Sequence, residues 1–577
     1  MASADIEEGC PRSDTECHRA DTDRRDGPAI GFGYRDGVRE WLRRHQRWVL
    51  LLAVVVLLGQ LAVALVTTAV AQTPTIDEPV YLGTAVVYQQ QHSLRYNSEH
   101  PPLGKLVIGA GLGFADPRLD PTVNDSQTAL GRRLLYESGN DPRRLLLFAR
   151  LPVIVLTLLF GLVVFGFARD LAGPVGGLVA LALYAFSPNL VAHGSLATLD
   201  VPAAGFVLTS LWLLWRARRR PLPYLPLAGA ALGAAVATKM STLAVVPVMM
   251  LLAGWSVWYA RRGDRRVAAR LALGATAGLG VAVVAVGVVW ASYLAVDPQL
   301  FWITPEYVPA VDGLRGLVVD RLPFPQPYRD GMRIQFGLED ATWTGYLFGQ
   351  TYQGSLWYYL PAALLVKTPL GALALWLAGA AAMLAVPRLR PAAPYLLLPA
   401  AVLLAVAMAG SRDLGVRYAI FVPMLLAVVA AAVTTVRWRW APVATAALLL
   451  LVAVSSLRTF PYYLPYANEA FGGPSQTYRH LHDSNVDWGQ DLGRLADRLR
   501  DRYPGQRVWL VSKGSGVPSY YGIEAPDPRA VPPELVHGLL VVSNSAAARA
   551  TGRLAALIDS SEPIDQVGHS ITIYRRD

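Results

Sequence analysis

From Trp48 onward, apolar runs of about 20 residues alternate with short arginine clusters and with longer, less basic loops. A helix needs about that length to cross the hydrocarbon core of a bilayer, so the pattern predicts a polytopic α-helical membrane protein with about eleven spans. They are expected at 48–71, 148–168, 174–192, 199–215, 224–238, 242–260, 270–294, within 368–386, and at 394–410, 416–436 and 441–457. The first run ends in Ala69-Val70-Ala71, which imitates a signal-peptidase site. It is longer than a signal h-region, and a tail of roughly fifty residues precedes it, so it reads as an uncleaved first helix.

The arginines orient this pattern. Arg39, Arg43, Arg44 and Arg47 precede the first span, and Arg169, Arg216, Arg218–Arg220, Arg261–Arg266, Arg388, Arg390, Arg437 and Arg439 recur on the same side. By the positive-inside rule the N-terminus is cytoplasmic. The large loops 72–147 and 296–356 then lie outside, and an odd number of spans leaves 458–577 outside as well. Residues 1–47 read as a mostly disordered polar tail and 48–457 as the membrane domain. In 458–577, the stretches 507–511, 538–542 and 571–574 look like short strands and 487–503 looks helical, which fits a small α/β domain.

Composition narrows the class. The chain is 53% hydrophobic and 16% charged, which is wrong for a string of soluble domains. A net charge of +10 is accounted for by the inside arginines, so no nucleic-acid partner is implied. Cys10 and Cys17, both in the tail, give no disulfide framework.

The chemistry gathers on the outer side. Asp77-Glu78-Pro79 lies just beyond the first span; a carboxylate there can act as a general base, hold a divalent cation, or simply solvate a helix end. In His100-Pro101-Pro102-Leu103-Gly104-Lys105, Pro102 suits the first helical turn and Lys105 falls in the same turn. A helix N-terminus plus a lysine suits a phosphate, although a snorkelling interfacial lysine has the same look. Asp200, Lys239, Lys367, Arg412, Asp413 and Arg417 reach the same layer, with His193 nearby. Singly each reads as an interfacial anchor; together they could bind an anionic lipid-anchored substrate and deprotonate its partner. No His/Cys cluster has ligand spacing and no cofactor is required, but Asp77, Glu78 and Asp200 could hold a divalent cation.

Asp77-Glu78, the His100–Lys105 stretch and Arg417-Tyr418-Ala419-Ile420-Phe421-Val422-Pro423 resemble GT-C-class membrane glycosyltransferases of the protein O-mannosyltransferase and aminoarabinose-transferase type. Asp483-Ser484-Asn485-Val486-Asp487-Trp488-Gly489-Gln490-Asp491-Leu492 is similar to a stretch in bacterial members. The resemblance covers about 40–500 and implies the GT-C fold and a polyprenyl-phosphate sugar as donor. It implies that Asp77 is the catalytic base supported by Glu78, that Lys105 and Arg417 lie near the carrier phosphate, and that Asp200 is an acid at the outer end of the fourth span. No inserted β-trefoil is visible in the second large loop, which separates this chain from typical eukaryotic protein O-mannosyltransferases.

The resulting expectation is transfer of a hexose or pentose, with inversion, from a polyprenyl-phosphate donor to a hydroxyl of a lipid, glycan or protein. His100, Lys105, Asp200, Lys239, Lys367 and Arg417 would bind carrier phosphate or sugar. The abundance of Ala, Arg, Val, Leu and Gly is in keeping with a GC-rich bacterial genome and hence a bacterial plasma membrane. A lipid or lipid-linked sugar transporter or flippase is the rival; it requires charges near the midplane and broken helices in paired positions. A third reading, a partner-binding subunit of cell-wall assembly, leaves the acidic pair without a task.

Overall fold

The computed structural model describes residues 33–120, 122, 125–263 and 266–577, with side chains from His45 onward. The two cysteines, the tail up to residue 32 and the pair Asp264 and Arg265 lie outside the described residues. Residues Ala53–Asp577 form one compact unit.

Helix α1 (Gly33–Ala71) starts well before its apolar stretch. The first large loop folds into α2 (Glu78–Gln91), α3 (Pro102–Leu112) and α4 (Gln127–Tyr136). Helix α5 (Pro142–Ala185) carries both the second and third expected spans. They join at Gly173, whose φ of 78° lies in the left-handed region that glycine tolerates, and Pro174 restarts the helix. Next come α6 (Pro188–Gly194), α7 (Asp200–Ala217), α8 (Pro221–Thr238), α9 (Val246–Ala260) and α10 (Val267–Leu294).

The second large loop holds α11 (Gly313–Arg321), α12 (Gln326–Asp340) and an antiparallel hairpin of β1 (Thr344–Leu347) and β2 (Gln350–Gln353). Helices α13 (Tyr359–Lys367) and α14 (Leu370–Ala385) meet at 117° across Thr368-Pro369. Then follow α15 (Ala393–Met408), α16 (Phe421–Ala430) and α17 (Ala441–Thr459).

Among the described residues, seven helices are long and apolar enough to cross a membrane, or eight if α13–α14 counts as one span. The sequence predicted about eleven because it counted runs. Two runs share α5; α7 carries Asp200 and Arg216 at its ends; and α16 is shortened by 3-10 turns at Val416–Ala419 and Ala431–Thr435. The core packs α5 against α7 and α16 through Phe160, Phe167, Tyr184, Leu208 and Val428, all buried.

Beyond α17, α18 (Leu492–Arg502) covers a four-stranded sheet of β3 (Val508–Val511), β4 (Gly538–Ser543), β5 (Glu562–Val567) and β6 (Ile571–Arg576), in the order β3-β4-β6-β5. β3 and β4 are parallel; the other pairs are antiparallel. Leu539, Val541 and Ile573 face one core, and Leu540, Val542 and Trp509 the other. β5 was not anticipated: it is a mostly polar edge strand with Pro563 beside a register shift, where apolar alternation is weak. The helix expected from 487 starts only at Leu492, and a 3-10 turn at Asp483–Asn485 is followed by irregular chain to 491.

Candidate active site

Asp77 occupies the N-cap position of α2 but makes no capping bond with its side chain, so its carboxylate is not consumed by its own helix. It accepts a hydrogen bond from Arg417 Nη1 at 2.6 Å, and its side chain stays 27% exposed. Arg417 belongs to the 3-10 turn after Gly415. Gly415 has φ 152°, and a Cβ there would lie 2.0 Å from Ser484 Oγ. The glycine is what lets the Arg417 turn approach so closely.

A second pair stands beside the first. The chain breaks between α8 and the turn Met240–Val245, and at that break Lys239 is extended and pairs with Asp200 at the start of α7. Tyr418 links the two pairs: Lys239 Nζ lies 5.2 Å and the Arg417 guanidinium 5.1 Å from its ring centre. Tyr81, one turn into α2, packs its ring edge-to-face at 5.9 Å on His100. Burial, then the Asp77 and Asp200 carboxylates, raise the Tyr81 phenol far above its ordinary range. His100 is pushed well below the usual imidazole range by burial and by the positive charges of Lys239, Lys105 and Arg412, so it is neutral. Asp77, Arg417, Asp200, Lys239, Tyr81, Tyr418 and His100 thus form one cluster.

Glu78 is placed differently. It is fully buried, and Oε1 accepts from Arg150 Nε at 2.7 Å and Ala197 N at 2.8 Å. Oε2 accepts from Arg150 Nη2 at 2.6 Å, Thr75 N at 2.9 Å and Thr75 Oγ1 at 3.0 Å. Burial opposes the charge, yet Arg150 and the two backbone donors hold the carboxyl below its ordinary range. Arg150 also donates to the carbonyls of Ala69, Gln72 and Thr73, tying the end of α1 to α5.

Lys105 and Lys367 are likewise enclosed. Lys105 Nζ donates to Asn97 O, Asn97 Oδ1 and His100 O, bracing the 97–100 turn. Burial, partly opposed by Glu99, brings its ammonium down to about 7. Lys367 Nζ donates to Leu464 O at 2.5 Å and Asn485 O at 2.6 Å, joining the α13–α14 corner to the 483–491 segment. Neither ammonium is hydrogen-bonded to Asp77.

Asp77, Glu78 and Asp200 do not converge as a ligand set, since each carboxylate is paired with a different cation: Arg417, Arg150 and Lys239. Among the described residues no group of three or more His, Cys, Asp or Glu side chains is arranged to hold a metal ion.

Sequence reasoning passed over three contributors. Arg150 could have been found as a lone charge within an apolar run. Tyr418 adjoins the recognised arginine. Trp488 packs its ring 4.3 Å from the Arg417 guanidinium and sits edge-on at 6.0 Å to His193.

Residues 146–290 match the family model of dolichyl-phosphate-mannose-protein mannosyltransferase. No curated relative matches the chain. The structure is similar to the crystal structure of ArnT from Cupriavidus metallidurans in the apo state, at 15% identity and a TM-score of 0.48, covering 92% of this chain and 98% of that one. The same protein bound to undecaprenyl phosphate gives 16% identity and 0.47, with 91% and 97% covered. An Archaeoglobus fulgidus oligosaccharyltransferase tethered with an acceptor peptide gives 13% identity and 0.41, with 81% and 58% covered. The family match agrees with the resemblance read from the sequence: this is a polytopic helical membrane protein similar to glycosyltransferases of the protein O-mannosyltransferase type.

Proposed function

We propose that this chain transfers a sugar from a polyprenyl-phosphate donor to an acceptor hydroxyl, at the membrane face from which the Asp77 loop projects and opposite the arginine clusters. The observation that carries the reading is the Asp77–Arg417 pair beside Asp200–Lys239. A partly exposed carboxylate pairs with Arg417, Lys239 lies on the same Tyr418 ring, and the buried Arg417 Nε has no hydrogen-bond partner. An arriving phosphate meets that guanidinium and the Lys239 ammonium, as a charged leaving group requires.

The chemistry follows from these groups. The acceptor hydroxyl gives its proton to Asp77 as its oxygen bonds to the anomeric carbon. On the opposite face the bond from that carbon to the phosphate oxygen breaks, and the polyprenyl phosphate leaves with both electrons. One displacement inverts the centre. The phosphate leaves as a stable anion, so no strong general acid is needed. Glu78 does not react; it fixes the backbone around Asp77 through Arg150. Family similarity supports the class of reaction and of donor, and His100, neutral and packed on Tyr81, lines the same space.

Purified full-length protein in lipid nanodiscs, given labelled polyprenyl-phosphate hexoses and pentoses with lipid, glycan and peptide acceptors, tests the reading. Asp77→Asn should cut transfer by about 10³-fold, within the usual range for loss of a general base, at unchanged expression. Full transfer by that variant, or a product of retained configuration, would overturn it.

A further inference from the structure

One stretch of the C-terminal region touches both backbone segments that carry the ion pair. On the Asp77 side, Thr73 N donates to Gln490 O and Ile76 N to Trp488 O, each at 3.0 Å. Thr73 Oγ1 donates to Gly489 O at 3.0 Å and accepts from Leu492 N at 3.2 Å. From a neighbouring loop, Ser515 Oγ donates to Ile76 O at 2.9 Å. On the Arg417 side, Ser484 Oγ donates to Leu414 O at 2.7 Å, and Val416 N donates to Asn485 Oδ1 at 2.9 Å.

The stretch is itself rigid. Gln490 Oε1 accepts from Trp488 N at 2.7 Å, and Gln490 Nε2 donates to Val486 O at 3.0 Å. Gly489 at φ 94° lies so close to Gly514 that a Cβ there would meet Gly514 Cα at 2.7 Å. Lys367 bonds Asn485 O from the membrane side. Between the two gripped segments, Trp488 lies with its indole against the Arg417 guanidinium and its carbonyl on the residue before Asp77.

We propose that residues 484–492 are a clamp that sets the Asp77–Arg417 geometry, with Trp488 as its positioning residue. This rests on the function proposed above. The indole face holds the guanidinium plane so that Nη1 reaches Asp77, leaving the other edge of the guanidinium toward an incoming phosphate. The carbonyl keeps Asp77 at the matching height. Lysine has no planar fork to orient, so the orienting benefit of the indole is lost when residue 417 is lysine.

The experiment is a double-substitution cycle on the full chain. Trp488→Leu leaves the main-chain carbonyl in place and should lower kcat/KM about tenfold, while Trp488→Phe, which keeps an aromatic face, should recover most of it. Arg417→Lys should lower kcat/KM by itself, and adding Trp488→Leu should then cost less than twofold more. Losses that multiply, or a Trp488→Leu enzyme with full activity, would overturn the proposal. Hydrogen–deuterium exchange of the peptide covering Thr73–Asp77 separates this from failure of the functional reading. If no donor is turned over by the parent protein, the clamp still predicts slow exchange at Thr73 and Ile76 that quickens at least tenfold in Gly489→Val. Fast exchange in the parent would refute it.

Discussion

Around Glu78 the chain closes completely: five hydrogen bonds saturate both carboxylate oxygens, and neither that side chain nor Arg150 has exposed surface. Around Asp77, one residue earlier, a single guanidinium bond reaches a carboxylate that still faces solvent, and the arginine keeps a bare Nε. Both are acid–arginine pairs on the same turn. Saturation makes the first a joint of the scaffold, since a buried ion with every lone pair engaged has nothing left to give a substrate. Incomplete pairing leaves the second with lone pairs and an N–H still open to a ligand.

The contrast can be broken by exchanging the consequences of mutation. Glu78→Ala leaves Arg150 buried and uncompensated, which should cost about 3–5 kcal/mol and remove most of the monodisperse protein from detergent chromatography. Asp200→Asn should retain the fold, with an unfolding temperature within a few degrees of the parent, but strengthen competition by polyprenyl phosphate severalfold. It frees Lys239 from its partner and changes the charge balance beside Tyr418. A result reversing these two, with Glu78→Ala folded and inactive or Asp200→Asn unfolded, would erase the distinction.

A pH prediction sharpens it. Burial raises the Asp487 carboxyl, next to Trp488, to about 6, against which Ser543 and the Gly489 amide pull only partly. The folded protein therefore holds this proton more tightly than the unfolded chain. Its contribution to stability is complete below the ordinary carboxylate pKa and is lost as pH rises from about 4 to 6. Asp487→Asn should flatten that part of the thermal-stability profile, and equal slopes in variant and parent would contradict the assignment. The smallest effect belongs to Asp170–Arg216, a partly exposed pair at 2.7 Å. Asp170→Asn should change stability by at most about 1 kcal/mol, measurable by the same melts.

The membrane-embedded class, the helical runs and the Asp77, Asp200, Lys239 and Arg417 cluster were legible because hydropathy and lone charges beside a bilayer are local signals. The enclosure of Glu78 was not, because it depends on Arg150 and on the Ala197 amide, both remote in the chain. The carbonyl partners of Lys105 and Lys367 were hidden for the same reason: sequence shows a cation near an interface but not which carbonyls enclose it. The path of 483–491 was equally hidden, since its hydrogen bonds run mainly to segments far away.

Thr73 meets Gly489 across 416 positions of the chain. That contact must await the last part of translation. A nascent chain that has already inserted all its apolar helices therefore still lacks the contacts that hold the segment leading to Asp77. A chain that ends between Thr459 and Gly489 would keep its apolar helices but leave the Thr73–Ile76 backbone without these partners.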